Sequence, residues 1–167
     1  MKKIKWLALF LSVLLLSLSL LSCRGIVPSK SASKKAHIGD SVQYGNFSIV
    51  LKGIEQTNGT VYSSPEAGKV YVLFELEVQN NSDDDAYFNS LYFEAYADDY
   101  SAESVALVSF AKDGAETVSG TIAAGKKQLG YVAFEVDKEW QQMELHYREI
   151  LKKDKVIFEV TNPRNKK

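Results

Sequence analysis

Residues 68–81 read GKVYVLFELEVQNN, in which Val70, Val72, Phe74, Leu76 and Val78 are apolar and Glu75, Glu77 and Gln79 fall between them. A period of two puts alternate side chains on opposite faces of an extended chain, so this segment is a half-buried strand, and helical spacing does not fit it. The same alternation recurs at Phe47, Ile49 and Leu51; at Leu91, Phe93 and Ala95; at Val132, Phe134 and Val136; at Met143, Leu145 and Tyr147; and at Val156, Phe158 and Val160. Turn-forming residues separate these six strands, at 57–59, 80–85, 98–101, 113–114, 124–127 and 152–154. Residues 103–110 are apolar without a clean period and read as strand or helical turn, while residues 118–123 read as a further short strand. Seven to eight strands at short intervals, without a long helical segment, predict an all-β fold in which two antiparallel sheets pack face to face as a sandwich.

This body, residues 38–167, is one domain; about 120 residues between Ile38 and Thr161 suit a single core. Before it, residues 23–37 are rich in Ser, Lys and Ala and have no sustained apolar period, which predicts a flexible linker. As a coil its fourteen residues after Cys23 reach about 20 Å. Lys30, Lys34 and Lys35 within it suit either a solvated tether or attraction to anionic lipid.

Residues 1–22 have the parts of a signal peptide. Lys2, Lys3 and Lys5 charge its start, and residues 6–21 are apolar except for Ser12, Ser17 and Ser19. Those sixteen residues fall short of the roughly 20 that a spanning helix needs, and a small residue followed by cysteine comes directly after them. Leu20, Leu21, Ser22 and Cys23 resemble the lipobox of bacterial prolipoproteins, although a smaller or β-branched residue is commoner at the place of Leu21. The resemblance implies that the Cys23 thiol receives a diacylglyceryl group and that the chain is cut just before it. Each buried acyl CH₂ contributes about 0.8 kcal/mol, and one chain alone holds a protein marginally, so the two chains of this lipid give stable anchoring to the membrane.

Two other readings of the segment are an uncleaved anchor helix and secretion after cleavage elsewhere. Cys23 is the only cysteine, so no disulfide forms within one chain and the sandwich is held by its core. Arg24 is not the Asp that commonly retains lipoproteins at an inner membrane, so the extracytoplasmic face of an outer membrane is allowed where the host has one.

The chain carries 20 basic and 21 acidic residues; without Lys2, Lys3 and Lys5 the balance is 17 against 21. A mildly acidic mature protein argues against nucleic acid as a partner, because phosphate contacts require a basic surface. Arg164, Lys166 and Lys167 make only a short basic tail.

Residues 68–81, residues 91–100 (LYFEAYADDY) and residues 122–136 (IAAGKKQLGYVAFEV) resemble a family of bacterial cell-surface proteins, found on envelope lipoproteins, with an immunoglobulin-like fold and no assigned function. The third piece is the most specific, and the strands at 143–147 and 156–160 stand where the family's closing strands would. The resemblance implies an immunoglobulin-like sandwich and an envelope location, not an activity. Gly125 sits where a turn favours positive φ, and Gly130 faces the side of Val132, where a missing side chain either admits a bulky neighbour or merely weakens the strand.

Chemistry-bearing residues are few. His37 lies in the linker, and His146, out of phase with Leu145 and Tyr147, is expected to face solvent beside Glu144 and Arg148. A zinc site needs more nitrogen or sulfur ligands than this, and neither Ser109 nor Ser119 lies in a nucleophile elbow, so no catalytic residue, cofactor ligand or metal ligand is assigned. Asp83, Asp84, Asp85, Asp98 and Asp99, with Glu94, make acidic turns that are either solvated or oxygen donors for calcium, without EF-hand spacing. Tyr71, Tyr92, Tyr96 and Tyr131 fall on the outer phase of their strands; they suit a platform for an envelope protein or glycan, or ordinary cross-strand pairing. The expected function is that of a membrane-anchored extracellular lipoprotein with a non-enzymatic binding module. The alternative is a structural or accessory subunit of an envelope complex, with a hydrolase third.

Overall fold

The computed structural model describes residues 33–165. The expected signal peptide over residues 1–22, the expected lipid site Cys23, the part of the expected linker as far as residue 32, and Lys166 and Lys167 lie outside the described residues. Two five-stranded sheets pack as an immunoglobulin-like sandwich. The first contains, in spatial order, β1 (Ser33–Ala36), β12 (Lys155–Thr161), β11 (Gln142–Tyr147), β6 (Phe93–Ala97) and β7 (Tyr100–Ser101). The second contains β2 (Ser41–Tyr44), β3 (Phe47–Thr57), β4 (Lys69–Asn80), β10 (Lys127–Asp137) and β8 (Glu103–Ser104). A ribbon of β5 (Ala86–Phe88) and β9 (Gly120–Ile122) closes one end, and a single helical turn, α1 (Val108–Ala111), crosses the second sheet. Eight of the described strands have four residues or more, which matches the expected seven to eight. Residues 103–110 hold both of the elements their pattern allowed, β8 and then α1.

Alternation places the core. Ile49 and Leu51 of β3, Val72, Phe74, Leu76 and Val78 of β4, Leu145 and Tyr147 of β11, and Val156 and Phe158 of β12 meet between the sheets. Tyr147 stacks on Phe88 at 4.9 Å between centroids, with Phe93 at 4.7 Å and Tyr44 edge-on at 5.2 Å. Each fully buried side chain of this size stabilises by about 1.5–3 kcal/mol. β4 departs from the half-buried expectation: Tyr71 and Leu73, on its other face, are buried beneath Val108 and Ala111 of α1.

Three expectations are corrected. Residues 33–36, expected within the flexible linker, instead form β1, parallel to β12, with Ala36 buried and Lys35 paired to Glu159. Leu91 does not continue the inward alternation: the Asn89 side chain accepts from the Leu91 N–H at 2.9 Å and caps a 3₁₀ turn at Ser90–Tyr92, which leaves Leu91 exposed and turns Tyr92 toward Tyr147. At Gly130 the close neighbour is backbone, not a bulky side chain. A Cβ there would lie 2.7 Å from Val118 N and 2.9 Å from Val118 Cα. Residues 116–118 run against this point through Tyr131 N–H to Glu116 O, 2.8 Å, and Val118 N–H to Tyr131 O, 3.2 Å.

Two buried asparagines close the ends. Asn80 donates to Asp84 O at 2.8 Å and Ile122 O at 2.9 Å, and accepts from the Ser82 N–H at 3.0 Å and hydroxyl at 2.7 Å. At the opposite end Asn162 donates to Trp140 O at 2.7 Å and accepts from Gln56 Nε2 at 3.0 Å and the Arg164 N–H at 3.1 Å.

Gly130→Ala is expected to lower stability by about 1–3 kcal/mol, because the facing backbone cannot give way. Gly125→Ala, at φ +68 with open space around it, carries only the conformational penalty of about 1 kcal/mol. Urea midpoints of the two variants check this, and a loss at Gly130 no larger than at Gly125 would contradict the close approach.

Candidate functional site

The outward phase of the first sheet brings polar residues into rows. His146 of β11 stands opposite Glu94 of β6 and Ile157 of β12, and Glu144 stands opposite Tyr96 and Glu159. Beyond the strand ends, Asp98 and Asp99 at one end and Arg148 and Lys153 at the other complete a shallow cleft of about 590 Å³, into which Lys155 of β12 also projects.

His146 lies on the face its phase predicts, yet it is only 9% exposed, so the solvent-facing expectation is corrected. The Tyr96 ring covers it at 4.9 Å between centroids, and its Nε2 lies 2.6 Å from Glu144 Oε2. An ionised carboxylate only accepts, so Nε2 donates. Lys155 Nζ stands 3.5 Å from Nδ1 on the other side of the ring. Tyrosine, carboxylate and ammonium therefore orient one imidazole. Nearby, Lys35 of β1 pairs with Glu159 on the same face; the Lys35 hydrogen bond and charge hold the Glu159 carboxyl below its ordinary range, and Glu159 in turn raises Lys35.

Asp98 and Asp99 adopt positive φ, +47 and +70, in the turn after β6. The Asp98 carboxylate accepts from the Gln141 N–H at 2.9 Å and the Gln142 N–H at 2.9 Å, so it caps the entry to β11 at one end of the cleft. Asp85 similarly accepts from the Ala124 N–H at 3.2 Å. Part of each acidic turn thus serves backbone capping. Among the described residues no group of three or more His, Cys, Asp or Glu is arranged to hold a metal ion.

The four tyrosines do not form one platform, because their strands belong to different sheets. Tyr71 and Tyr131 lie on the second sheet's outer face, where Tyr71 is buried under α1 and Lys112 Nζ sits 5.1 Å from the Tyr131 ring centroid. Tyr92 packs at the core edge, which leaves Tyr96 alone in the cleft. Ser119 donates to Phe88 O at 3.3 Å. Lys153 and Lys155 were not singled out from the sequence; the outward phase of β12 marks Lys155, but only the pairing of β12 with β11 brings it to His146.

The cleft offers carboxylates, ammonium and guanidinium groups, and one aromatic ring within a few residues of each other. That is the inventory for reversible recognition of a polar molecule, with hydrogen bonds of either sense and one stacking surface.

The chain belongs to the family described as the domain of unknown function DUF4352, whose model matches residues 36–157. The pieces at 68–81, 91–100 and 122–136 all lie within that span. Among solved structures, the chain is similar to the lipoprotein candidate ycdA of Bacillus subtilis, with a TM-score of 0.62 at 21% identity over 75% of this chain and 39% of that one. It is also similar to the secreted protein MPT63 of Mycobacterium tuberculosis, with a TM-score of 0.58 at 13% identity over 77% of this chain and 98% of that one. The yjhA protein of Bacillus subtilis gives 0.52 at 18% identity, over 66% of this chain and 78% of that one. At these identities the likeness is one of fold, and this chain spans well under half the length of ycdA. No curated protein matches it.

Because the folded Glu159 carboxyl is held low, its contribution to docking β1 is present above the ordinary carboxylate range and is lost as pH falls through the lowered value. Amide exchange at residues 34–36, relative to intrinsic rates, is expected to accelerate in acid, and Glu159→Gln to abolish that acceleration. An unchanged profile in the variant would rule out the pair as the cause.

Proposed function

We propose that this DUF4352 member is an exported lipoprotein, held at the extracytoplasmic face of a cell membrane by lipid on Cys23, and that its sandwich is a non-enzymatic binding module. The position of Cys23 carries the anchor: it follows a sixteen-residue stretch that only Ser12, Ser17 and Ser19 interrupt among apolar residues, has Leu20 and Ser22 before it, and precedes the first described strand by ten positions. The fold likeness to a lipoprotein candidate and to a secreted protein supports a location outside the cytoplasm.

The cleft over β6, β11 and β12 supports the binding role. Its lining combines Tyr96, His146 and charged groups of both signs, a set suited to hydrogen bonds and ion pairs with a polar ligand. The ligand class that fits is polar, an envelope glycan or a protein segment with charged side chains. An accessory subunit would be better served by a flat charged face than by this concave one.

Mass spectrometry of the N-terminal peptide is expected to find Cys23 at the new terminus with acylated sulfur, and Cys23→Ser to release the chain from the membrane fraction. An intact leader or a free thiol would refute the anchor. In the cleft, Tyr96→Ala combined with Arg148→Ala is expected to weaken retention of an envelope ligand about tenfold, or 1–2 kcal/mol, with the melting temperature little changed. Undiminished retention on the doubly substituted chain would remove the cleft from the function.

A further inference from the structure

The loop between β11 and β12 ends in an apolar tip. Ile150 is 72% exposed and Leu151 98%, and Leu91, 84% exposed, lines the same shallow depression. The Lys152 N–H closes a turn on Glu149 O at 3.1 Å, and Leu151, its third residue, has φ +67. A turn position with positive φ favours Gly or Asn, so Leu is strained there as well as fully hydrated. The Tyr44 hydroxyl accepts from the Glu149 N–H at 3.1 Å and donates to Asp154 O at 3.2 Å, which ties both sides of the loop to the core and holds the tip outward. Nothing in the fold gains from this choice of residue.

Two features say what covers the tip. Ser33 is in register with Lys155, the residue that follows the loop, and β1 runs parallel to β12, so the chain enters the domain beside the tip. Nine residues separate Cys23 from Ser33, and ten steps extend at most about 35 Å, so a lipid on Cys23 keeps this end near the headgroups. The charge also fits. Arg148, Lys152 and Lys153 flank the tip in sequence, and Lys34 and Lys155 line the adjoining depression, five cations against Glu94, Glu149 and Asp154. The acidic turn at residues 81–85 follows β4 in the other sheet, so contact falls to the margin of the first sheet.

We infer that Ile150, Leu151 and Leu91 dip into the interface of the anionic bilayer that holds Cys23, with the basic residues on its headgroups, and so fix the orientation of the domain. Apolar side chains ringed by Lys and Arg are the make-up of an interfacial segment. The inference rests on the anchor reading.

The test uses the acylated full chain in vesicles of phosphatidylcholine and phosphatidylglycerol. A fluorophore is placed through Leu151→Cys or, at the opposite end, through Glu139→Cys, the new cysteine being the free thiol once Cys23 is acylated. Spin-labelled lipid is expected to quench the label at 151 about threefold more strongly than the label at 139. Leu151→Gly relieves the positive φ, so it is expected to raise Tm while reducing quenching of a label at Leu91→Cys. Failure of the full chain to float with vesicles would overturn the anchor reading and this inference with it. Flotation with equal quenching at 151 and 139 would overturn this inference alone, as it would if the tip docked on a protein. A fall in Tm for Leu151→Gly would give the side chain a packing role and overturn it too.

Discussion

The amide of Asn80, itself fully buried, makes all four hydrogen bonds of which it is capable. It joins the end of β4 and the turn at 81–85 that follows it to Ile122, the last residue of β9, with no covalent cross-link between them. The chain's one cysteine lies outside the domain, so polar closure takes the place that a cross-link fills in many small secreted sandwiches. A buried amide is stabilising only when its partners are all present, and this makes the geometry of that end nearly all-or-none. Asn162 imposes the same condition at the other end, where it holds Trp140, Gln56 and Arg164.

Between these closures the aromatic cluster around Tyr147 fills the space between the sheets, and its phenol is pushed well up by burial. With the inner faces committed, variation in chemistry is left to the outer faces. The two are treated differently. The second sheet is covered by α1 and its flanks, whereas the first remains open and carries His146 with its three oriented neighbours. The open face is therefore the one that presents a concave set of polar side chains.

The strands were legible because a half-buried sheet writes its period directly into the sequence, as at Phe47, Ile49 and Leu51 or at Val156, Phe158 and Val160. Leu91 misled because a cap from Asn89 is a local event that alternation does not register. The strand at 33–36 was hidden for a different reason. SKKA has one apolar residue, and its order comes from a partner more than a hundred residues away. The same limit applies to the candidate site: the outward phase of Tyr96 and His146 was readable, but neither their contact nor the separation of Tyr71 and Tyr131 from Tyr96 follows without knowing which strands share a sheet. Asn162 carried no signal at all, since a polar residue after a strand is normally unremarkable.

The parallel setting of β1 against β12 has a mechanical side. Tension arriving through the N-terminal chain acts along the strand axis, so the ladder of four residue pairs is loaded in shear and its bonds share the force. A hairpin pulled at its open end would instead unzip one bond at a time. The short edge strand at which the N-terminal chain enters is thus arranged as a grip, able to bear tension without surrendering the sheet behind it.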